Sequence, residues 1–242
     1  MKKLAGKIAL ITGASQGIGQ GIATAFAAEG ASLVLGSRNL ERLNQNAEVL
    51  ANAGAEVLVV QADVTDEAQV KDLFRQAMEK FGRLDILVNN AGIFDGGPLD
   101  ELSVEAWDRV IATNLRGPFL CTREAMRIMK AQHGGRIINI GSISAQRVRP
   151  NSAAYSTSKF GISGLTQVTA LEGREFGITC GCLHPGNVEV PTLAESRRLN
   201  GEPTMSADDI AQAAVAMASL PPHVNMLEAI VLPIGQPYLG RG

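Results

Sequence analysis

The chain reads as an α/β protein: a doubly wound sheet of seven parallel strands with helices on both faces. Three observations predict it. Short apolar runs alternate with longer helical stretches along the chain, the pattern of a parallel sheet with crossover helices. A glycine-rich turn joins the first apolar run to the first helical stretch. Thr12, Arg38, Asp63, Asn90 and Ser142 each fall at or just after the end of an apolar run, and ligands of such sheets gather at the carboxyl ends of strands.

Lys7 to Thr12 is the first strand. Gly13-Ala14-Ser15-Gln16-Gly17-Ile18-Gly19 follows and opens a helix that carries Ile18, Ile22 and Phe26 on one stripe and closes at Gly30. Glycines let a backbone approach a pyrophosphate closely, and a helix N-terminus meets it with N–H groups and a positive dipole end. The spacing is G-x-x-x-G-x-G, not the G-x-G-x-x-G of the usual dinucleotide fingerprint. Ser32 to Gly36 is the second strand. A carboxylate is expected beyond it to hold a ribose 2′-hydroxyl, but residues 36–40 read Gly-Ser-Arg-Asn-Leu. An arginine suits a 2′-phosphate, so NADP(H) is the expected cofactor, with NAD(H) usable. The phosphate is assigned to Arg38 with Ser37. Gln16 brings no cation to the turn, which leaves Arg38 as its one strong cation.

Residues 41–53 form the second helix, and Glu56 to Gln61 the third strand, with Asp63 just past its end. Asp66 to Phe81 is helical. Leu84 to Val88 is a strand that runs into Asn89-Asn90-Ala91-Gly92. Residues 103–131 read as one long helical region. Pro118 denies the Asn114 carbonyl its usual helical partner and should bend the helix there. Arg136 to Ile140 is a buried strand before Gly141-Ser142, and a helix follows from Ser152 to about Glu175. Ile178 to Leu183 is the sixth strand and leads to His184-Pro185-Gly186-Asn187-Val188. The stretch of about 190–205 is expected to be a mobile lid. Ser206 is placed to cap the next helix, and Leu227 to Leu232 is the last strand. No repeat, low-complexity segment or linker interrupts residues 1–242, which are expected to form a single domain.

At 45% hydrophobic, a chain of 242 residues can bury a sizeable core. The 22 basic and 24 acidic residues are interspersed, and only 4% of residues are aromatic. Neither a basic block nor stacking platforms point to nucleic acid. Lys7 interrupts the apolar stretch behind Met1, so no signal peptide is read. No run is long and apolar enough for a membrane span. Three cysteines cannot pair completely; Cys180 and Cys182 are expected on opposite faces of their strand, as free thiols in a reducing, cytoplasmic compartment. No metal ligand set is assigned.

The chemistry points to Ser142, Tyr155 and Lys159. Tyr155 and Lys159 stand four apart in one helix, which puts both on one face, a turn apart. A phenol titrates near pH ~10, and a neighbouring ammonium favours its phenolate. Ser142 can hydrogen-bond a substrate oxygen from the other side. Together these groups could move a proton to or from an alcohol or carbonyl oxygen. A pocket for a small substrate is expected among Phe94, Asp95, Ser144, Arg147 and the residues after Gly186.

In Thr12-Gly13-x-x-x-Gly17-x-Gly19, Asp63, Asn89-Asn90-Ala91-Gly92, Asn114, Ser142, Tyr155-x-x-x-Lys159 and Pro185-Gly186, the chain resembles a short-chain dehydrogenase/reductase over nearly its whole length. The resemblance implies a Rossmann-like fold and hydride transfer between a nicotinamide cofactor and a small alcohol or ketone, or a hydroxy or keto acid. Tyr155 is then the general acid in reduction and the base in oxidation. Lys159 assists it and binds the nicotinamide ribose. Ser142 polarises the carbonyl, and Asn114 holds a water that relays protons. Gly13, Ser15, Gln16, Gly17, Ile18 and Gly19 hold the pyrophosphate. Asp63 and Val64 meet the adenine, Asn90, Ala91 and Gly92 lie under the cofactor, and Pro185, Gly186 and Val188 meet the carboxamide. Val190 replaces the family's usual threonine. A homotetramer is implied too, and apolar residues on the two long helices (Leu120, Met126, Met129; Ile162, Leu165, Val168, Leu171) agree with it.

Two rivals are weighed. Gly13-Ala14-Ser15-Gln16-Gly17 is formally the G-x-S-x-G of a hydrolase elbow, but it follows the first strand and leaves Tyr155 and Lys159 unexplained. A non-catalytic dinucleotide sensor would not need Asn114, Ser142, Tyr155 and Lys159 together.

Overall fold

A computed structural model describes residues 2–189 and 201–238. The strands are β1 (Ile8–Thr12), β2 (Ser32–Ser37), β3 (Val57–Gln61), β4 (Ile86–Asn89), β5 (Gly135–Ile140), β6 (Ile178–Pro185) and β7 (Glu228–Val231). They form one sheet in the order β3-β2-β1-β4-β5-β6-β7, every pairing parallel. Helices cover both faces, which is why the central strands are near-continuous apolar runs rather than alternating ones.

The helices are α1 (Gly17–Ala28), α2 (Leu40–Asn52), α3 (Glu67–Phe81), α4 (Val104–Ile111), α5 (Gly117–Ala131), α6 (Ala153–Gly173) and α7 (Ala207–Ala218). Side-chain caps start several of them. Asn39 accepts from the Arg42 amide, Asp66 from those of Ala68 and Gln69, and Ser103 from that of Ala106. Ser206 and Asp209 form a reciprocal capping box, the device expected at that serine. One core layer packs Ala9, Ile11, Leu33 and Leu35 against α1, α2 and α7. The other packs Leu10, Val34, Leu87 and Ile137 against α3 and α5.

The region 103–131 is not one bent helix. Ala112–Arg116 winds as a π-helical turn between α4 and α5, and the Gly117 amide donates to the Ala112 carbonyl five residues back. Pro118 causes this, because without an N–H it cannot continue the four-residue pattern. Cys180 and Cys182 are free thiols, but they do not face apart. Residues two apart on a strand share a face; Thr166 lies beside both thiols, and burial and then Cys182 raise the Cys180 thiol. Burial pushes the Cys182 thiol up to about 12, so it stays protonated. Of the residues expected on outer helix faces, Leu120, Met126, Met129 and Ile162 are buried in the chain's own core; Val168 and Leu171 are exposed, as are Phe119 and Phe160. No helix among the described residues is long and apolar enough to cross a membrane.

Candidate functional site

The carboxyl ends of β1, β4 and β5 meet in one place. β1 stops at Thr12, and its hydroxyl accepts from the Asn90 amide at 3.0 Å and the Ala91 amide at 3.1 Å. Asn90 Nδ2 donates back to the carbonyls of Thr12 and Gly13 at 2.9 and 3.1 Å. Residues 90 and 91 are thereby locked beneath the glycine turn. Gly13 sits at φ 66°, and a Cβ there would stand 2.8 Å from Ala91 Cα. Only glycine meets both demands. Gln16 precedes α1 in extended backbone and places no side-chain cap on it. The first amides of α1, around Gly17, Ile18 and Gly19, therefore have no side-chain cap from Gln16, and such amides at a helix start suit an anion.

Beside the turn lies a cleft of about 580 Å³, lined by Ser15, Gln16, Ser37, Arg38, Asn39, Leu40, Glu41 and Arg42. Ser37 donates to Ser15 Oγ at 3.0 Å. Arg38 is 66% exposed, and its nearest carboxylate, Asp63, is 3.9 Å away. Asp63 is already engaged, accepting from the Thr65 amide and hydroxyl at 2.9 and 2.8 Å. The cleft holds a second guanidinium that the sequence reading missed: Arg42, in the first turn of α2, donates to Gln16 Oε1. The legible signal was the pairing of an uncharged acceptor in the turn with an arginine four residues beyond Arg38. Serine hydroxyls and two guanidiniums are a donor set that suits a phosphate monoester. Val64 is buried, and a Cβ on Gly117 would come 2.7 Å from its Cγ2.

The second half of the site hangs on β5 and α6. The Tyr155 ring packs 5.3 Å from that of Phe94, tilted by 60°. Lys159, one turn on, is only 6% exposed. Its Nζ donates to the Ile140 carbonyl at 2.8 Å and lies 5.5 Å from the centre of the Tyr155 ring. β5 ends at Ile140, so the lysine reaches the root of the Gly141-Ser142 turn. Ser142 Oγ accepts from the Ser144 amide at 3.1 Å and keeps its own proton to donate. Asn114 is 1% exposed. Its side chain clamps Ile93 from both sides, accepting from the amide at 2.8 Å and donating to the carbonyl at 2.9 Å.

Beyond β6, Gly186 donates to Val231, and Asn187 is a hub. It accepts from Arg149 at 3.1 Å, donates from Nδ2 to Glu202 at 3.0 Å, and donates from its amide to Gln236 Oε1 at 2.8 Å. Val188 is buried and bridges Met205. Residues 202–205 thus return to the site, whereas Val190 and the rest of the expected lid to residue 200 lie outside the described residues. Of the expected pocket residues, Asp95 pairs with Arg109 at 2.7 Å, and Arg147 stacks on Tyr238, 5.7 Å from the ring centre. Ser15 is held by Ser37 rather than by a histidine, which removes the hydrolase reading.

A family model described as short chain dehydrogenase matches residues 7–200. The chain is 39% identical to a 3beta-hydroxysteroid dehydrogenase of Mediterraneibacter gnavus over 191 residues, covering 78% of this chain and 69% of that one. It is 38% identical to a 3-oxoacyl-[acyl-carrier-protein] reductase of Synechocystis sp. over 207 residues, 85% of this chain and 82% of that one. A metagenomic short-chain oxidoreductase solved in complex with NADP superposes with a TM-score of 0.85 at 32% identity, over 96% of this chain and 98% of that one. The parallel sheet, the glycine turn seated on Asn90 and the run of family matches make this chain an NAD(P)-dependent oxidoreductase of the short-chain dehydrogenase/reductase family.

Proposed function

We propose that the protein is a carbonyl reductase/alcohol dehydrogenase that prefers NADP(H), with Tyr155 as its general acid and base. The observation that carries this is Lys159: a buried ammonium against the Tyr155 ring, anchored at the strand end that leads to Ser142. Gly13, Ser15, Gln16, Gly17, Ile18 and Gly19 hold the pyrophosphate. Ser37, Arg38 and Arg42 hold the 2′-phosphate. Asp63 and Val64 flank the adenine, Asn90, Ala91 and Gly92 lie under the cofactor, and Pro185, Gly186 and Val188 meet its carboxamide. The bound cofactor supplies or accepts the hydride. Ser142 donates its hydroxyl proton in a hydrogen bond to the substrate oxygen. Tyr155 delivers a proton to that oxygen as the ketone is reduced, and takes it back when the alcohol is oxidised. Lys159 faces the phenol with positive charge and binds the nicotinamide ribose. Asn114 supports a water that returns protons from solvent. The working unit is a single domain in a cytoplasmic homotetramer. Exposed Phe119, Phe160, Val168 and Leu171 favour the tetramer.

Tyr155→Phe keeps the ring and removes the proton. On a ketone that the wild type reduces, turnover should fall by at least ~10²-fold, the usual worth of a general acid. Fluorescence titration should find NADPH bound as before. Normal turnover in this variant would sink the assignment.

A further inference from the structure

The end of β5 is held from several directions. Lys159 Nζ takes the Ile140 carbonyl at 2.8 Å. The Gly141 amide donates to Leu183 at 2.7 Å. The next residue is held by a side chain: His184, on β6, places Nδ1 3.0 Å from the Ser142 carbonyl and 3.3 Å from the Ser142 nitrogen. The imidazole is 0% exposed. It fits because residue 141 is glycine; a Cβ there would stand 2.8 Å from His184 Cε1.

The ring must choose between two roles. With the proton on Nδ1 it donates to the Ser142 carbonyl, which also accepts from the Ala145 amide at 3.0 Å. With the proton on Nε2, Nδ1 accepts from the Ser142 amide. In both cases Nε2 is buried without a hydrogen-bond partner among the described residues. Orphaned buried polar atoms are costly, and a plain hydrophobic side chain would avoid the cost. The ring is also kept neutral. Burial lowers its pKa below the ordinary 6.5, and the Lys159 charge adds to this; the Ser142 main chain and Glu228 oppose it.

We propose that His184 is a positioning residue for Ser142: by holding a main-chain polar group of Ser142 through Nδ1, whichever tautomer it takes, it fixes where the Ser142 hydroxyl stands relative to Tyr155. This rests on the roles given to Ser142 and Tyr155 above. The Ser144 and Ala145 amides hold Ser142 from within its own turn, and His184 holds it from β6; without the histidine the turn could rotate the hydroxyl off the substrate oxygen. The reacting geometry is sensitive to such shifts, as a misplacement of about 1 Å can cost ~10²-fold in rate.

The test uses NADPH and a ketone turned over by the wild type. His184→Leu removes the hydrogen bond at Nδ1, His184→Gln carries its amide past the Nδ1 position, and His184→Asn puts an amide close to it. Leu and Gln should lower kcat by at least ~10-fold, with the Kd for NADPH unchanged, and Asn should restore most of the rate. In a Ser142→Ala background the Leu and Gln substitutions should cost nothing more, within about twofold, because they act through that hydroxyl. Wild-type kcat in the Leu and Gln variants overturns the proposal. So does an additive loss in the Ser142→Ala background, which would mark a merely structural residue. If His184→Leu does not fold, the Gln variant, alone and with Ser142→Ala, decides between the same two outcomes. Tyr155→Phe is measured alongside: its retaining full turnover would refute the roles given to the site and this inference together, whereas its loss beside normal Leu and Gln variants overturns the inference alone.

Discussion

Lys159 Nζ donates to the main-chain carbonyl of Ile140 at 2.8 Å, and with the bond from Asn139 Nδ2 to Thr166 Oγ1 it joins α6 to the strand that leads to Ser142. The ammonium is buried yet meets a carbonyl, not a carboxylate. A buried charge without an opposite charge is expensive. Its retention therefore points to use rather than stability. Lys159→Met should lower turnover by at least ~10²-fold, yet leave the thermal midpoint unchanged or raised. A lowered midpoint with residual high activity would show that the lysine is there for the fold.

Cofactor choice should respond to two arginines, not one. Arg38 is largely exposed, with Asp63 3.9 Å away, and Arg42 is tied to the turn by Gln16. Charge-assisted hydrogen bonds are each worth roughly 1.5–3 kcal/mol, so losing one should cost about ten- to hundredfold. Arg38→Asp and Arg42→Gln should each reduce kcat/KM for NADPH while leaving that for NADH almost unmoved, and the aspartate variant should reverse the preference. Equal losses with both cofactors would mean that neither arginine meets the 2′-phosphate.

His184 also sets a pH dependence. Its folded pKa lies below the unfolded 6.5, chiefly because the ring is buried. Below pH 6.5 the unfolded chain then binds a proton that the folded chain resists, so stability is lost as pH falls and is regained above it. Denaturant midpoints measured from pH 7.5 to 5.5 should fall, and the fall should be shallower in His184→Asn. Parallel profiles for the two proteins would put the titration elsewhere.

Oligomer size should depend on the exposed apolar residues of α5 and α6. Light scattering should give about four times the 25.5 kDa chain mass for the wild type. Leu171→Glu, at a residue 61% exposed in the isolated chain, should yield smaller species by charging an interface. A wild type at the chain mass would exclude the tetramer.

The sheet was legible because its central strands are buried on both faces and so read as largely apolar runs such as Ile8–Thr12 and Arg136–Ile140, punctuated by glycine. The positions of Asn90, Ser142 and Asp63 followed from strand ends alone. What was not legible depends on contacts across the fold. Arg42 becomes part of the cleft only when α2 comes beside Gln16, and His184 reaches Ser142 only through the pairing of β5 with β6. The proline announced a break near Asn114 but not the π-helical form that it takes. The two strand cysteines were misplaced for a simpler reason, since positions two apart share a face.

The interior position of β1 fixes when the glycine turn can be seated. Its inner neighbour β4 lies far along the chain, with Ile11 set against Val88, and the turn's seat is Asn90 and Ala91. Contacts between such distant segments form late, after loop closure has been overcome. A nascent chain that has passed the glycine motif therefore carries the fingerprint without the cradle. The turn can therefore be seated only once Asn90 and Ala91 have emerged, well after the glycines themselves.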